Sequence, residues 1–356
     1  MSLTLAYEQC VRTRAVAASC QACLDVCPHG AITLGGPKHS VQVELDRCTG
    51  CGLCQGECPT NAFSGAMDVP AWMAALPKGE LTLGCGRGVD CLGAVSTEDL
   101  VTLALHHGVV RVDMTGCARC KTTTRPRGAY ATRVASAQAF LFGIGSSAAV
   151  HTVVSAPGAV QPVAQDRRGF LSRLVPGGLS KPSPGARLTL DLQALNPQLL
   201  RTQAPTHRRE RLKAALKQVP PTGRAGPVEA VEVSFTSSKL LNTTTCTVCN
   251  LCVTTCPTGA ITSSRLKDEL RFDAAACVKC GTCHDVCESF ALTLAPRVDT
   301  AQFLGGVPGP LGRLAVKNCG ECGMLFRYNG GDVLCPRCAD QDLEAQELSG
   351  VTRGDS

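Results

Sequence analysis

The sequence predicts a multidomain α+β protein of 356 residues. A small cysteine-rich module occurs twice, a small α/β parallel-sheet domain lies between the copies, and a four-cysteine knuckle follows the second. Three observations carry this. Cys20, Cys23, Cys27, Cys48, Cys51, Cys54 and Cys58 shift by 229 residues onto Cys249, Cys252, Cys256, Cys277, Cys280, Cys283 and Cys287 without a gap, and Pro28-His-Gly-Ala-Ile-Thr33 shifts onto Pro257-Thr-Gly-Ala-Ile-Thr262. Seven cysteines in register signal a duplicated unit. Residues 67–155 alternate between strand and helix patterns, which is how a parallel sheet reads. Cys319-x2-Cys322 and Cys335-x2-Cys338 stand twelve residues apart, a spacing that suits a tetrahedral metal knuckle.

Composition narrows the chemistry. The 24 cysteines would fit a disulfide framework in a short secreted chain, but the N-terminus MSLTLAYEQCVRTR has no apolar run before its charges, so a cytoplasmic location is expected. Cysteines two and three residues apart converge on one ion or cluster more readily than they pair with each other. The formal charge of +6 counts thiols as neutral. Six sites of four thiolates, each at about −2 with its metal, would leave the loaded protein near −6. Aromatic residues make up only 4%, so platforms for stacking bases are few and nucleic-acid binding is not favoured.

The first module spans residues 1–66, and its run Cys48-Thr-Gly-Cys51-Gly-Leu-Cys54-Gln-Gly-Glu-Cys58-Pro59 resembles the bacterial dicluster ferredoxins. The resemblance implies two [4Fe-4S] clusters, one held by Cys48, Cys51, Cys54 and Cys27 and the other by Cys20, Cys23 and Cys58. The last set lacks a ligand: in the ungapped repeat Cys246 falls opposite Ala17. Cys10 is the nearby cysteine left over and could loop back to complete the cube. A [3Fe-4S] or open-cornered cluster, or a non-cysteine ligand, are the alternatives. Ile32–Leu34 and Val41–Leu45 read as strands around a Gly35-Gly36-Pro37 turn.

In residues 67–155, Leu81–Leu83 and Val109–Met114 read as strands. Between them Ser96 and Thr97 can cap a helix with Glu98 and Asp99 in its first turn. A helix over Tyr130–Phe142 and a strand over Val150–Val154 follow. Cys85 and Cys91 come after the first strand and Cys117 and Cys120 after the second, so all four can meet at the carboxyl edge, where open α/β sheets place ligands. In this spacing the domain is similar to the iron–sulfur delta subunit of methyl-viologen-reducing hydrogenases, which implies a [2Fe-2S] centre. Zinc and a redox-active thiol set are the other readings.

Residues 156–230 are rich in proline, glycine and basic residues and read as a linker joining the modules. No charge occurs between Arg133 and Asp166, but the glycines, serines and Pro157 in that run argue against a membrane span. Asp166-Arg-Arg-Gly-Phe-Leu171 imitates an export signal in the middle of the chain and is read instead as a helix start or docking segment. Thr206–Gln218 is a good helix, with Leu212, Ala215, Leu216 and Val219 on its apolar face. Its other faces carry Arg208, Arg209, Arg211, Lys213 and Lys217, read as a solvated surface or as a patch for an acidic partner.

The second module, residues 231–300, resembles the same ferredoxins with a full eight cysteines. The resemblance implies one cluster on Cys246, Cys249, Cys252 and Cys287 and another on Cys277, Cys280, Cys283 and Cys256. Glu288 replaces the usual proline. His29 and His284 stand beside cluster cysteines and read as surface residues or as tuners of potential. Residues 301–340 are similar to a zinc ribbon, and to the short rubredoxin-type module that holds one iron. Cys319, Cys322, Cys335 and Cys338 are its ligands, zinc its default metal, and 341–356 a flexible tail.

These readings converge on a polyferredoxin relaying single electrons between redox partners, as the electron-transfer subunit or partner of a dehydrogenase- or hydrogenase-type oxidoreductase. The sequence shows no G-x-G-x-x-G opening a strand–helix unit, no P-loop and no H-E-x-x-H, so catalysis falls to a partner. The alternative is a redox enzyme or sensor whose active centre is Cys85, Cys91, Cys117 and Cys120.

Overall fold

A computed structural model of the chain describes residues 3–85, 91–120, 125–154, 185–218, 220 and 223–341. The Asp166–Leu171 segment, Val219 of the predicted helix face and all but the first residue of the predicted tail lie outside the described residues. Within them the strands form seven sheets, none wider than three strands.

Each ferredoxin-like repeat is closed by a short antiparallel pair and carries a hairpin across its middle. In the first repeat Thr4–Leu5 pairs with Phe63–Ser64, and Ile32–Gly35 pairs with Ser40–Glu44. In the second Lys239–Leu241 pairs with Leu292–Leu294, and Ile261–Ser263 with Glu269–Phe272. Alternation along the hairpins sends Ile32, Val41 and Val43, or Ile261, Leu270 and Phe272, into the repeat's interior. Each hairpin gains a third strand from outside its repeat: Arg187–Leu188 in the first, Gly309–Arg313 in the second.

Between the repeats Leu81–Gly84, Val109–Asp113 and Ala149–Val153 form a three-stranded parallel sheet in that order. The helix Thr97–His107 connects the first two strands and Arg125–Gly143 the last two. The second helix starts earlier than Tyr130 because Pro126 stands in its first turn, where its missing amide is not needed. Ser96 caps the first helix in a reciprocal box: its hydroxyl accepts from the Asp99 N–H (3.2 Å) and its own N–H donates to the Asp99 carboxylate (3.0 Å). The sheet shares one core with the second repeat, where Phe140 meets Phe235 and Phe303 edge to face at 4.8 and 4.9 Å.

The basic helix, His207–Gln218, departs from both readings at its arginines, while Lys217 stays exposed. Arg208 and Arg209 are buried, Arg209 completely. Arg208 donates to the backbone oxygens of Gln55, Gly56 and Cys58 and to the Asn61 side chain, all in the first repeat. Arg209, its neighbour, donates to the carbonyls of Phe235, Ala275 and Cys277 in the second repeat and to the Glu98 carboxylate at 2.7 Å. Arg211 pairs with buried Asp99 at 2.6 Å. Amphipathic spacing separates apolar from charged residues, but here the charges meet carbonyl oxygens of other segments, so this face is an internal strut. Arg133 plays the same part from the long helix, binding Glu57 and the carbonyls of Leu53, Gly93 and Val95.

Candidate metal centres

In both repeats the C-x2-C-x2-C loop curls through left-handed backbone, at Gly50 and Gly52 in the first and at Lys279 and Gly281 in the second. This lets three successive cysteines turn inward before a short helix begins at Leu53 or Thr282. The electrostatics group the thiols. Cys54 is pushed up by burial and by the neighbouring charges of Cys51, Cys48 and Cys27. Cys23 is pushed up by burial and by Cys58, Cys10, Cys20 and, last, Cys54. In the second repeat burial raises Cys252 to about 12, with Cys249, Cys246 and Cys287 adding to it. Burial also raises Cys283 to about 12; Lys239 opposes the rise, and Cys277, Cys280 and Cys256 add to it. These neighbouring charges follow the sets of four expected from the sequence, although Cys54 also acts on Cys23 across two of them. Cys27, Cys48, Cys51 and Cys54 line one cavity with Leu3 and Ile32, and Cys256, Cys277, Cys280 and Cys283 line its counterpart with Ile261 and Phe272.

Cys10 corrects the ungapped alignment. Leu5 pairs with Phe63 and Leu241 pairs with Leu292, its repeat equivalent. The next residue bonds back identically, Ala6 N–H to Ala62 O at 2.8 Å and Asn242 N–H to Ala291 O at 2.7 Å. Cys10 and Cys246 each stand five residues beyond those leucines, so Cys10 is the counterpart of Cys246 and Ala17 is not. Cys246 precedes Cys249 by three residues and Cys10 precedes Cys20 by ten, so the first repeat carries seven extra residues there. Burial pushes Cys10 up to about 11, and Cys58 and Cys20 are among the charges it feels.

Buried together, such thiols ionise only if a cation compensates them, and an all-sulfur donor set is soft, as iron–sulfur ligation requires. Backbone N–H groups already point at three of the sulfurs: Ala31 at Cys27 and Ala62 at Cys58, both 3.3 Å, and Lys279 at Cys277, 3.4 Å. The residues present therefore fit a thiolate-bound cluster in each group. The two histidines are not simple surface residues. His29 lines the first cavity with its Nε2 buried and without a hydrogen-bond partner, and His284 is held between Lys239 Nζ (2.6 Å) and Leu292 O (3.0 Å).

At the carboxyl edge of the parallel sheet, Cys85 follows its strand directly, Cys91 precedes the turn Leu92–Ala94, and Cys117 lies in the turn Thr115–Arg119. Cys117 and Cys91 neighbour Cys85 and hold its thiol below the usual range. Cys120 closes the last turn through its N–H to Cys117 O at 3.3 Å and is exposed. This edge abuts the first repeat: Cys91 feels the charge of Cys51, and a Cβ on Gly93 would lie 2.1 Å from the Cys51 carbonyl oxygen.

At the other end Val316–Asn318 and Leu325–Arg327 form a hairpin. The sulfurs of Cys319, Cys322, Cys335 and Cys338 all lie within 4.8 Å of one another, close enough for one ion. The Cys335 N–H donates to Cys319 Sγ at 3.3 Å. This and the Cys322 amide pull Cys319 down to about 6.

Comparison with known proteins finds both cysteine motifs. Residues 18–62 match one family model of a 4Fe-4S dicluster domain, and residues 245–292 match another. Pyruvate synthase subunit PorD of Methanocaldococcus jannaschii is 35% identical over 57 residues, which is 16% of this chain and 57% of that protein. The chain thus spans little more than half the length of this relative. It carries two 4Fe-4S dicluster ferredoxin domains. No described helix is long and apolar enough to cross a membrane.

Proposed function

We propose that this protein is a cytoplasmic electron relay in which four [4Fe-4S] clusters carry single electrons between a donor and an acceptor. The observation that supports it best is the pair of dicluster domains, residues 18–62 and 245–292, in two repeats that share an apolar contact; four sets of four cysteines are assigned to them. The groups are Cys10, Cys20, Cys23, Cys58; Cys27, Cys48, Cys51, Cys54; Cys256, Cys277, Cys280, Cys283; and Cys246, Cys249, Cys252, Cys287. Bound there, the clusters supply one-electron chemistry, and the polypeptide supplies ligation, burial and spacing. The domains run 1–66, 67–155, 156–230 as linker, 231–300 and 301–340. Zinc at the C-terminal knuckle is structural, or an iron takes its place. The relative's name, a pyruvate synthase subunit, favours an oxidoreductase as partner.

A second reading is favoured by Cys85, which stands at the sheet edge with Cys91 and Cys117 beside it. Those residues with Cys120 hold a [2Fe-2S] cluster or zinc in a relay, but a reactive thiol in an enzyme or sensor. One experiment separates the two. The anaerobic protein is reduced with a viologen radical, mixed with an oxidised one-electron acceptor, and in parallel alkylated mildly with mass mapping. The relay takes up about four equivalents in its cubes, returns them, and protects Cys85, Cys91, Cys117 and Cys120 until metal is stripped. Rapid alkylation of one of these four with no electron return would overturn it.

A further inference from the structure

We infer that electrons cross between the two repeats at one short contact, Cys20 against Cys280, and that Val11–Ser19 together with Asp285 and Val286 are the positioning residues that set it. The inference rests on the relay reading. Val11, Ala15, Ala18 and Val286 form a small buried cluster of their own, and Cys20 and Cys280 both pack on it. Cys20 belongs to the Cys10 group and Cys280 to the Cys256 group, so one group of each repeat meets across two alanines and two valines. At the rim the Ser19 N–H and hydroxyl donate to the two oxygens of the Asp285 carboxylate at 2.8 and 2.9 Å. Arg14, whose guanidinium donates to the carbonyls of Glu8, Leu199 and Thr202, has Cys256 and Cys280 in its electrostatic reach.

The order of the groups follows. The Cys51 group faces the parallel sheet through Cys91 and Gly93, and the Cys246 group faces the C-terminal hairpin, where Arg327 donates to the Cys246 carbonyl at 3.5 Å. Because Cys20 and Cys280 both pack on the cluster between the repeats, the Cys10 and Cys256 groups are the inner pair of the path, the Cys256 group also lying in the core it shares with the sheet. Tunnelling falls off exponentially with the gap between centres, so a well-packed contact between inner groups decides whether two modules act as one path. An electron crossing there oxidises one inner centre and reduces the other, and no bond or proton is exchanged. A low-potential one-electron donor and a one-electron acceptor at the outer ends complete the balance. The seven residues added between Cys10 and Cys20 build this contact.

The test is EPR of the dithionite-reduced full-length protein in a Cys51→Ser background, where the in-repeat neighbour of the Cys10 group is silenced. Spin–spin splitting of the Cys10-group signal by its partner across the contact is expected. Cys280→Ser, by unseating that partner or holding it oxidised, should abolish the splitting; Cys249→Ser, in the outer group of the same repeat, should leave it. Ser19→Ala with Asp285→Ala, which alters no sulfur, should narrow it with iron content unchanged. Splitting that survives Cys280→Ser, or is lost equally with Cys249→Ser, would overturn the route. Iron far below four cubes in the unsubstituted protein would instead overturn the relay reading beneath it.

Discussion

The two ferredoxin modules answer the same requirement by different paths of chain. Left-handed backbone recurs at Gly30 and Gly259, Gly50 and Lys279, Gly52 and Gly281, and Asn61 and Phe290, each pair 229 residues apart. The modules diverge where the chain enters. In the second, Cys246 leads directly to Cys249. In the first, the same opening strand leads to Cys10, and the chain then detours through the helix Val11–Arg14 before Cys20. Four sulfurs at one site are the fixed requirement, and the sequence distance between them is free. The detour is also the surface that meets the second module, so the irregular spacing of the cysteines and the joining of the modules are one feature.

Cysteine substitution should break this comparison most sharply. Cys10→Ala and Cys246→Ala should each open one cube and move its EPR signal toward a [3Fe-4S] type, while Ala17→Cys should leave spectrum and iron content as they were. An unchanged spectrum for Cys10→Ala would mean that another ligand completes that group.

Next in size is the pair of neighbouring arginines. Arg209→Met leaves the Glu98 carboxylate buried without its partner, and loss of one member of a buried pair costs about 3–5 kcal/mol. Arg208→Met abandons carbonyl and amide oxygens but no carboxylate, and should cost about 1–3 kcal/mol. Denaturant unfolding followed by cluster absorbance measures both. Equal losses would show that Glu98 finds another partner.

A smaller contrast tests the loops themselves. Gly52 and Gly281 are equivalent and both left-handed, so alanine costs about 1–2 kcal/mol of backbone strain at either. At Gly52 a Cβ also lies 2.9 Å from the Ala94 backbone nitrogen and Cβ, whereas at Gly281 it meets nothing within 4 Å. Gly52→Ala should therefore lose about 1–3 kcal/mol more than Gly281→Ala in the same unfolding measurement. The smallest effect should come from stripping the C-terminal knuckle with a chelator. Amide exchange should rise across residues 316–338 while the iron and sulfide of the modules stay constant.

The sequence displayed the duplicated cysteines, the parallel strands and the knuckle because each depends on local spacing. It hid the equivalence of Cys10 and Cys246, because that rests on strand partners far along the chain, Leu5 with Phe63 and Leu241 with Leu292. The direction of the arginines was hidden too. Helical periodicity divides the faces of His207–Gln218, but it cannot show that Arg208 and Arg209 reach carbonyl oxygens in two different modules. The left-handed positions were half legible: Gly50 and Gly52 announce a curled loop, while Lys279 takes the same conformation with no such sign.

The central claim, two complete modules loaded with four cubes, is tested most directly by iron and acid-labile sulfide analysis of anaerobically purified, fully reconstituted protein. About sixteen of each per chain are expected from the two modules, with any further iron assignable to the sheet-edge and knuckle cysteines. About eight of each would mean that half of the four cluster sites stay empty and would overturn that loading.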